Sequence, residues 1–430
     1  MKLKHILLGG AIGLAAFAAL AQTVLVPQVQ SIGATDLIQI IPRGQPSAQS
    51  QYAAAPLLAN YAASQPGNNP ENALIGGDST TNLWQRATTG SSVTTTATYG
   101  GPDRWAYWSG TSTAMTVSRT TTAADLPAAL TYKSGFKMAR TSGQTGVVQV
   151  CMIQALETVN SLQFSGQTAE IDFHATAGST FSAASSIMKA YLVSGTGTDE
   201  SAALAAYTVN AGGGGTPGFT GGLATGVNVT ISATNQRYTV AIPVPAATTQ
   251  VAVALCFTPV GTAGANDYIA FSGIQLTRNS ALTAAAGSTG VALPANDTRA
   301  KSFSRRSQEV ETGLQQRYFY KLTETAAVAP VAPCAAVDTT HTNCLIQIPT
   351  TMRIAPTATL ANGFASPTST TQATLGACTT LTAATTVAST VGAVNSFLVN
   401  CAATTIPAAG VASFLYSNAG TGSISLSSEL

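Results

Sequence analysis

The chain has 430 residues, of which 8% are charged and 45% apolar, with a formal net charge of +2. An ordinary soluble domain carries about 25% charged residues, and so small and balanced a charge argues against electrostatic capture of nucleic acid. The length is enough for two or more cores. Thr, Ser, Gly and Ala dominate, with regular Gly and Pro punctuation, and favour strands and turns over long helices. The expected class is all-β: two antiparallel β-sandwiches preceded by an extended and partly helical N-terminal arm.

Residues 1–21 combine a basic start, Met1 to His5, with an apolar, charge-free run from Ile6 to Leu20. Ala19-Leu20-Ala21 then forms an A-x-A site before Gln22. This is the layout of a secretory signal peptide. A retained apolar anchoring helix is the alternative. Residues 22–70 read as an arm that ties the subunit to neighbours. It has strand-like runs at Val24–Val29 and Leu37–Ile41, helical character over Ser47–Ser64, and a turn-rich linker at Pro66–Pro70.

Residues 71–280 read as strands and turns, the pattern of a two-sheet sandwich. Candidate strands are Ala114–Arg119, Gly146–Ile153, Glu170–His174, Met188–Val193, Val227–Ser232, Arg237–Val244, Val251–Phe257 and Tyr268–Leu276. Gly212–Gly215 is a loop and not a phosphate cradle, since no Lys-Ser/Thr pair follows it. Residues 281–316 form a connector. Ten of the 36 charged residues fall between Asp297 and Glu324, which reads as a solvated segment. Ser307–Gln316 within it is a helix candidate. Residues 317–430 form a second β unit, with strands expected at Arg317–Leu322, Cys344–Ile348, Thr357–Leu360, Ser396–Val399, Ala412–Tyr416 and Ser423–Leu426.

All three tryptophans lie within 25 residues: Trp84 in N-L-W-Q-R, and Trp105 and Trp108 in D-R-W-A-Y-W. Aromatic rings of this kind either nucleate a β core or stack on sugar faces. Strand parity puts Trp105 and Tyr107 on one side and Trp108 on the other. Trp84 and Trp105 are therefore expected in the core. Trp108, with its neighbour Tyr107, is the candidate ligand contact. Arg86, Asp103 and Arg104 stand out because charge is scarce. They are expected to form a buried or half-buried ion pair that pins the first strand to its neighbour, with ligand contact as the alternative.

The six cysteines form no C-x-x-C pair, which argues against a zinc site. Disulfides Cys334–Cys344 and Cys378–Cys401 fit an oxidising compartment, and reduced, buried thiols fit a reducing one. Glu157, Glu170 and Asp172 lie in or near candidate strands, and Glu170, Asp172 and His174 share a face at i, i+2 and i+4. A glycosidase pair or a metal site would need such groups. A solvated polar face is the commoner meaning, so no catalytic, metal or cofactor role is assigned. Neither G-x-S-x-G, H-E-x-x-H nor a Walker motif occurs.

Several segments in order resemble β-sandwich domains of bacteriophage tail-fibre and other virion structural proteins. These are Asn72–Asp78 leading into Asn82–Arg86, then Asp103-Arg104-Trp105, and then Asn235–Val240, similar to a W-Q-R-Y-[ST]-V strand. Asn266–Leu276, Glu309 with Gln315–Tyr320, Ile348–Thr357 and the terminal Ser428-Glu429-Leu430 continue the series. Asn235, Thr277 and Gln315 depart from the usual Trp, Glu and Cys. The resemblance covers about residues 71–430. It implies a jelly-roll sandwich similar to carbohydrate-binding modules, in a homotrimeric or otherwise multimeric particle appendage with no catalytic residues. The expected partners are other copies of the chain, other virion proteins through residues 1–70, and a host surface glycan. The expected location is the virion. A ligand-free decoration or collar subunit, or a secreted bacterial adhesion protein, are the alternatives.

Overall fold

The computed structural model describes residues 72–430 apart from breaks at 79–83, 88–90, 94, 111–112, 128–131, 211–217, 283–289, 295–296, 324–329, 362, 368–374, 378–379, 389–393, 403–408 and 418–421. In the arm it describes two strands, β1 (Leu37–Ile40) and β2 (Gln51–Ala54), which pair antiparallel. β2 falls where helical character was expected: alanine favours helix, but intrinsic propensity is a weak prior, and here the segment pairs with β1 instead. Val24–Val29, the apolar residues 1–21 and Gly212–Gly215 lie outside the described residues. Met1–Pro70 and Glu71–Leu430 are separate units.

The larger unit is all-β and begins with a two-sheet sandwich. Its strands are β3 (Ser91–Val93), β4 (Thr98–Tyr99), β5 (Ala106–Ser109), β6 (Thr113–Thr120), β7 (Gly135–Arg140), β8 (Val150–Ala155) and β9 (Thr168–Ala177). They continue with β10 (Ala183–Gly195), β11 (Leu223–Thr230), β12 (Gln236–Pro243), β13 (Gln250–Pro259), β14 (Tyr268–Arg278) and β15 (Val291–Leu293). One sheet has the order β11-β10-β13-β8-β5-β4, the other β15-β12-β9-β14-β7-β6-β3. The main core lies between them. Tyr107, Met152, Leu192, Val253 and Leu255 come from the first sheet, and Val117, Phe136, Ile171, Phe173, Val240 and Phe271 from the second.

Both outer faces of this sandwich are partly covered. The helix Ala202–Val209 starts at Ser201, whose side chain accepts from Leu204 N at 3.3 Å, a standard N-cap. Its Ala202, Ala205 and Ala206 pack on the outer face of the six-stranded sheet with Trp108, Ile153 and Val193. This second contact explains why β8 is buried at every position. The segment 297–306 runs over the outer face of the other sheet and leads into the helix Gln308–Gln316, capped by Ser307.

The second sandwich follows. Its strands are β16 (Phe319–Thr323), β17 (Pro330–Ala336), β18 (His341–Met352), β19 (Thr357–Ala361), β20 (Phe364–Pro367), β21 (Leu375–Ala377), β22 (Thr380–Ala388), β23 (Val394–Ala402), β24 (Ala412–Ser417) and β25 (Ser423–Ser427). A three-stranded sheet, β16-β25-β19, faces a seven-stranded one, β21-β20-β24-β17-β18-β23-β22. Ile424 and Leu426 meet Cys344, Ile346, Phe397 and Val399 between them.

Disulfides join residues directly opposite each other on neighbouring strands. Cys151 bonds Cys256 between β8 and β13, and Cys334 bonds Cys344 between β17 and β18. Cys401 is also disulfide-bonded, while Cys378 lies outside the described residues.

Candidate functional site

The tryptophan cluster is packing, on both sides of the sheet. Trp105 is fully buried and Trp84 nearly so, and both rings pack against Phe136 at 6.1 and 5.8 Å. Trp105 Nε1 donates to Gly76 O at 3.3 Å. Tyr107 is also in the central core, and burial raises its hydroxyl well above the usual pKa. Trp108 points to the opposite face, as parity demands, yet it is only 2% exposed. Its Nε1 donates to Thr95 O at 2.9 Å, and the Ala202–Val209 helix belongs to the same cluster. The expectation that Trp108 and Tyr107 offer ring faces to a ligand is therefore corrected. An outward position is exposed only where nothing covers that face of the sheet.

The rare charges meet at a joint between the two sandwiches. Arg86 pairs with Glu429 at 2.9 Å, and Arg104 pairs with the other oxygen of the same carboxylate. Arg104 Nη2 also donates to Ala155 O at 2.7 Å. Its guanidinium stacks 3.6 Å from the Tyr318 ring, as Arg86 stacks 3.6 Å from Phe319. Arg104 adopts φ 71°, a backbone state that costs a non-glycine residue about 1 kcal/mol or more. Burial lowers the Arg104 pKa, but Glu429 and the two tyrosines Tyr318 and Tyr99 outweigh it and the net direction is up. The ion pair expected to pin neighbouring strands instead ties the sandwich to Glu429, some 325 positions away in sequence.

Asp103 sits beside this joint and accepts from Gln85 Nε2 at 3.0 Å. Burial pushes its carboxyl up to about 7, against the hydrogen bonds from Gln85 that pull it down. Arg353 completes the joint by donating to the backbone oxygens of Ser428 (3.0 Å) and Glu429 (3.2 Å). Tyr318 Oη donates to Glu157 at 2.5 Å, and Arg317 pairs with Glu157 at 3.2 Å. The parts of Glu429, Tyr318 and Arg353 were not read from the sequence. Their only signal there was charge scarcity and the resemblance of the terminal Ser428-Glu429-Leu430.

The acidic row also differs from expectation. Glu170, Asp172 and His174 do share the outer face of their sheet, opposite the inward Ile171 and Phe173. That face is not solvated: Glu170 is 0% and Asp172 2% exposed. The 297–306 segment lies on it. Lys301 N donates to Glu170 at 2.8 Å, Ser304 N to Gln275 at 2.9 Å, and Asn279 Nδ2 to Arg299 O at 2.8 Å. Arg237 binds both oxygens of Asp172 through Nε, at 2.8 and 2.9 Å, and its Nη2 donates to Lys301 O. Burial holds His174 down at about 4, so it is neutral near pH 7. The row is the underside of a strap. Among the described residues no trio of His, Cys, Asp and Glu could hold a metal ion.

An open site remains on the outer face of the six-stranded sheet, beyond the helix. A depression of about 240 Å³ is lined by Gln149, Ile187, Lys189, Asn228, Cys256 and Thr258, among others. Lys189 lies directly across the ladder from Asn228. Tyr191 stands beside them over Gly226, its register partner, where a Cβ would collide with the ring. Gln149 Nε2 donates to Tyr191 Oη at 3.4 Å. The lining thus offers two amides (Gln149, Asn228), an ammonium (Lys189) and a hydroxyl (Thr258). Among the described residues no carboxylate lines the depression. The site went unread in the sequence because Gln149, Lys189 and Asn228 are far apart in the chain and ordinary singly.

No protein-family model and no curated protein matches the chain. Among solved structures, the enzymatically active domain of the bacteriophage CBA120 tailspike protein 4 is similar over 48% of this chain and 21% of that one, at 12% identity and a TM-score of 0.28. A CBM4 structure is similar over 38% of this chain and 86% of that one, at 13% identity and a TM-score of 0.21. The CBM22-1–GH10 modules of Clostridium thermocellum endo-1,4-beta-D-xylanase 10B, complexed with xylohexaose, match over 45% and 28%, at 7% identity and a TM-score of 0.24. The match thus spans about a fifth of the tailspike chain. No helix among the described residues is long and apolar enough to cross a membrane.

Proposed function

We propose that the chain is a non-catalytic structural subunit of a bacteriophage particle, a tail or head fibre that attaches to a glycan on the host surface. The observation that carries this reading is the depression around Lys189 and Asn228: amide, ammonium and hydroxyl groups on an open sheet face. Such groups exchange hydrogen bonds with sugar hydroxyls, and the ammonium also favours an acidic sugar. The order of motifs in residues 71–430 supplies the particle context.

The test is binding of the full chain to a glycan array and to host surface polysaccharide, with Lys189→Ala and Asn228→Ala beside it. Each substitution is expected to weaken binding by about tenfold, the worth of one hydrogen bond to a charged or amide group. No glycan binding, together with absence of the chain from purified particles by mass spectrometry, would sink the proposal. A second reading, an architectural subunit without a ligand, is favoured by the burial of all three tryptophans. It predicts presence in particles and a blank array.

A further inference from the structure

The outer face of the C-terminal seven-stranded sheet carries an unbroken apolar row. Alternation sends Cys334, Cys344, Phe397 and Leu415 inward to the core, so their neighbours Pro333, Leu345, Leu398 and Phe414 face out. Register aligns these four. Phe414 lies opposite Pro333, Cys334 opposite Cys344, which sets Pro333 beside Leu345, and Leu345 opposite Leu398. The row crosses β24, β17, β18 and β23. Phe414 is 43% exposed, and its ring meets Tyr416 edge to face at 6.4 Å. Alongside, Asn400 donates to Asn343 at 3.0 Å.

These four strands contain no Asp, Glu, Lys or Arg. After residue 330 the chain has only Asp338, Arg353 and Glu429. The last two are engaged with the first sandwich, Glu429 by Arg86 and Arg104, and Arg353 by Asp199 at 3.7 Å. Asp338 sits at the tip of the β17–β18 hairpin, paired with His341 at 2.9 Å.

We propose that this face is where copies of the chain meet. A charged partner would bury its ions against a face that offers no counter-charge, at a cost of several kcal/mol each. A second copy presents the same uncharged surface and carries no such cost. The extent also fits. Seven strands about 4.8 Å apart, with roughly seven residues each rising about 3.3 Å, span about 30 by 25 Å. That approaches the roughly 800 Å² per partner of a stable interface. The proposal does not depend on the glycan-binding role.

The experiment measures the mass of the full chain in solution by light scattering and sedimentation over a wide concentration range. Wild type is expected to be oligomeric. Leu398→Lys, which places a charge in the middle of the row, is expected to weaken association about 30-fold or more. Val159→Lys, a position 70% exposed on a short helix elsewhere, is expected to leave it unchanged. Circular dichroism and the melting temperature show that each variant folds. Phe414→Asn gives the same reading should Leu398→Lys fail to fold. A monomeric wild type, or an oligomer indifferent to both row substitutions in folded protein, would overturn the proposal.

Discussion

The two sandwiches handle scarce charge in opposite ways. The first buries Arg104 and Arg140 and gives each several acceptors. Arg140 is the extreme case: it pairs with Asp267 at 2.7 Å, both side chains fully buried, and donates to Ser182 Oγ and to the carbonyls of Gln144 and Gly146. Its outer faces are partly covered, one by a helix and the other by a strap. The second keeps charge out of the four central strands of its large sheet, and outward Phe414 there is 43% exposed. Buried ions therefore sit where distant segments must be tied together, since an ion pair has a geometry that apolar contact lacks. Where no such tie is needed, the strands carry no charge.

The largest expected effect is on the disulfides. Cys151 and Cys256 are 105 positions apart, and replacing both with Ala is expected to cost about 4–5 kcal/mol in denaturant unfolding. Replacing Cys334 and Cys344, 10 apart, is expected to cost about 2.5 kcal/mol. Equal losses would mean that loop closure is not what separates the two.

Glu429→Ala tests the joint. It leaves Arg104 buried without its carboxylate, and the expected cost is about 3–5 kcal/mol. Splitting of unfolding into two transitions, one per sandwich, is the expected signature in calorimetry. A single unshifted transition would show that apolar contact alone joins them.

Asp103 sharpens the electrostatic side. Its carboxyl rises from 3.8 to about 7 on folding, so between those values the folded chain holds a proton that the unfolded chain has released. This contribution is full below about pH 4 and is lost as pH rises through 7, at a slope of about 1.4 kcal/mol per pH unit. Asp103→Asn is expected to flatten the decline in stability between pH 4 and 7, read from melting curves across that range. A slope identical to wild type would place the titration elsewhere.

The smallest effect belongs to Trp108→Phe. Loss of the bond to Thr95 is expected to cost about 1–2 kcal/mol. Glycan binding should not change, since Trp108 is buried under the helix; a loss of binding in folded protein would return the ring to the ligand site.

Strand positions were largely legible. Each of β8 to β14 coincides with a run of alternating or continuous apolar residues, because pleated backbone sends neighbours to opposite faces. Short pieces such as β4 and β20 were not, since two to four residues carry too little pattern. Of the candidate residues, Trp84 and Trp105 sit in the core as read, whereas Trp108 does not reach solvent. The depression at Lys189 and Asn228 was invisible, being composed of singly ordinary residues.

The sequence by itself determined the all-β class and which side of each strand a residue takes, because both follow from local composition and the two-residue period. It also marked Arg86, Asp103 and Arg104 as unusual. Only the tertiary structure decided what each side faces. The Ala202–Val209 helix buries Trp108, the 297–306 strap buries Glu170 and Asp172, and Glu429 collects two arginines from far upstream. Parity is a property of one strand, whereas burial depends on segments that alternation within that strand cannot register.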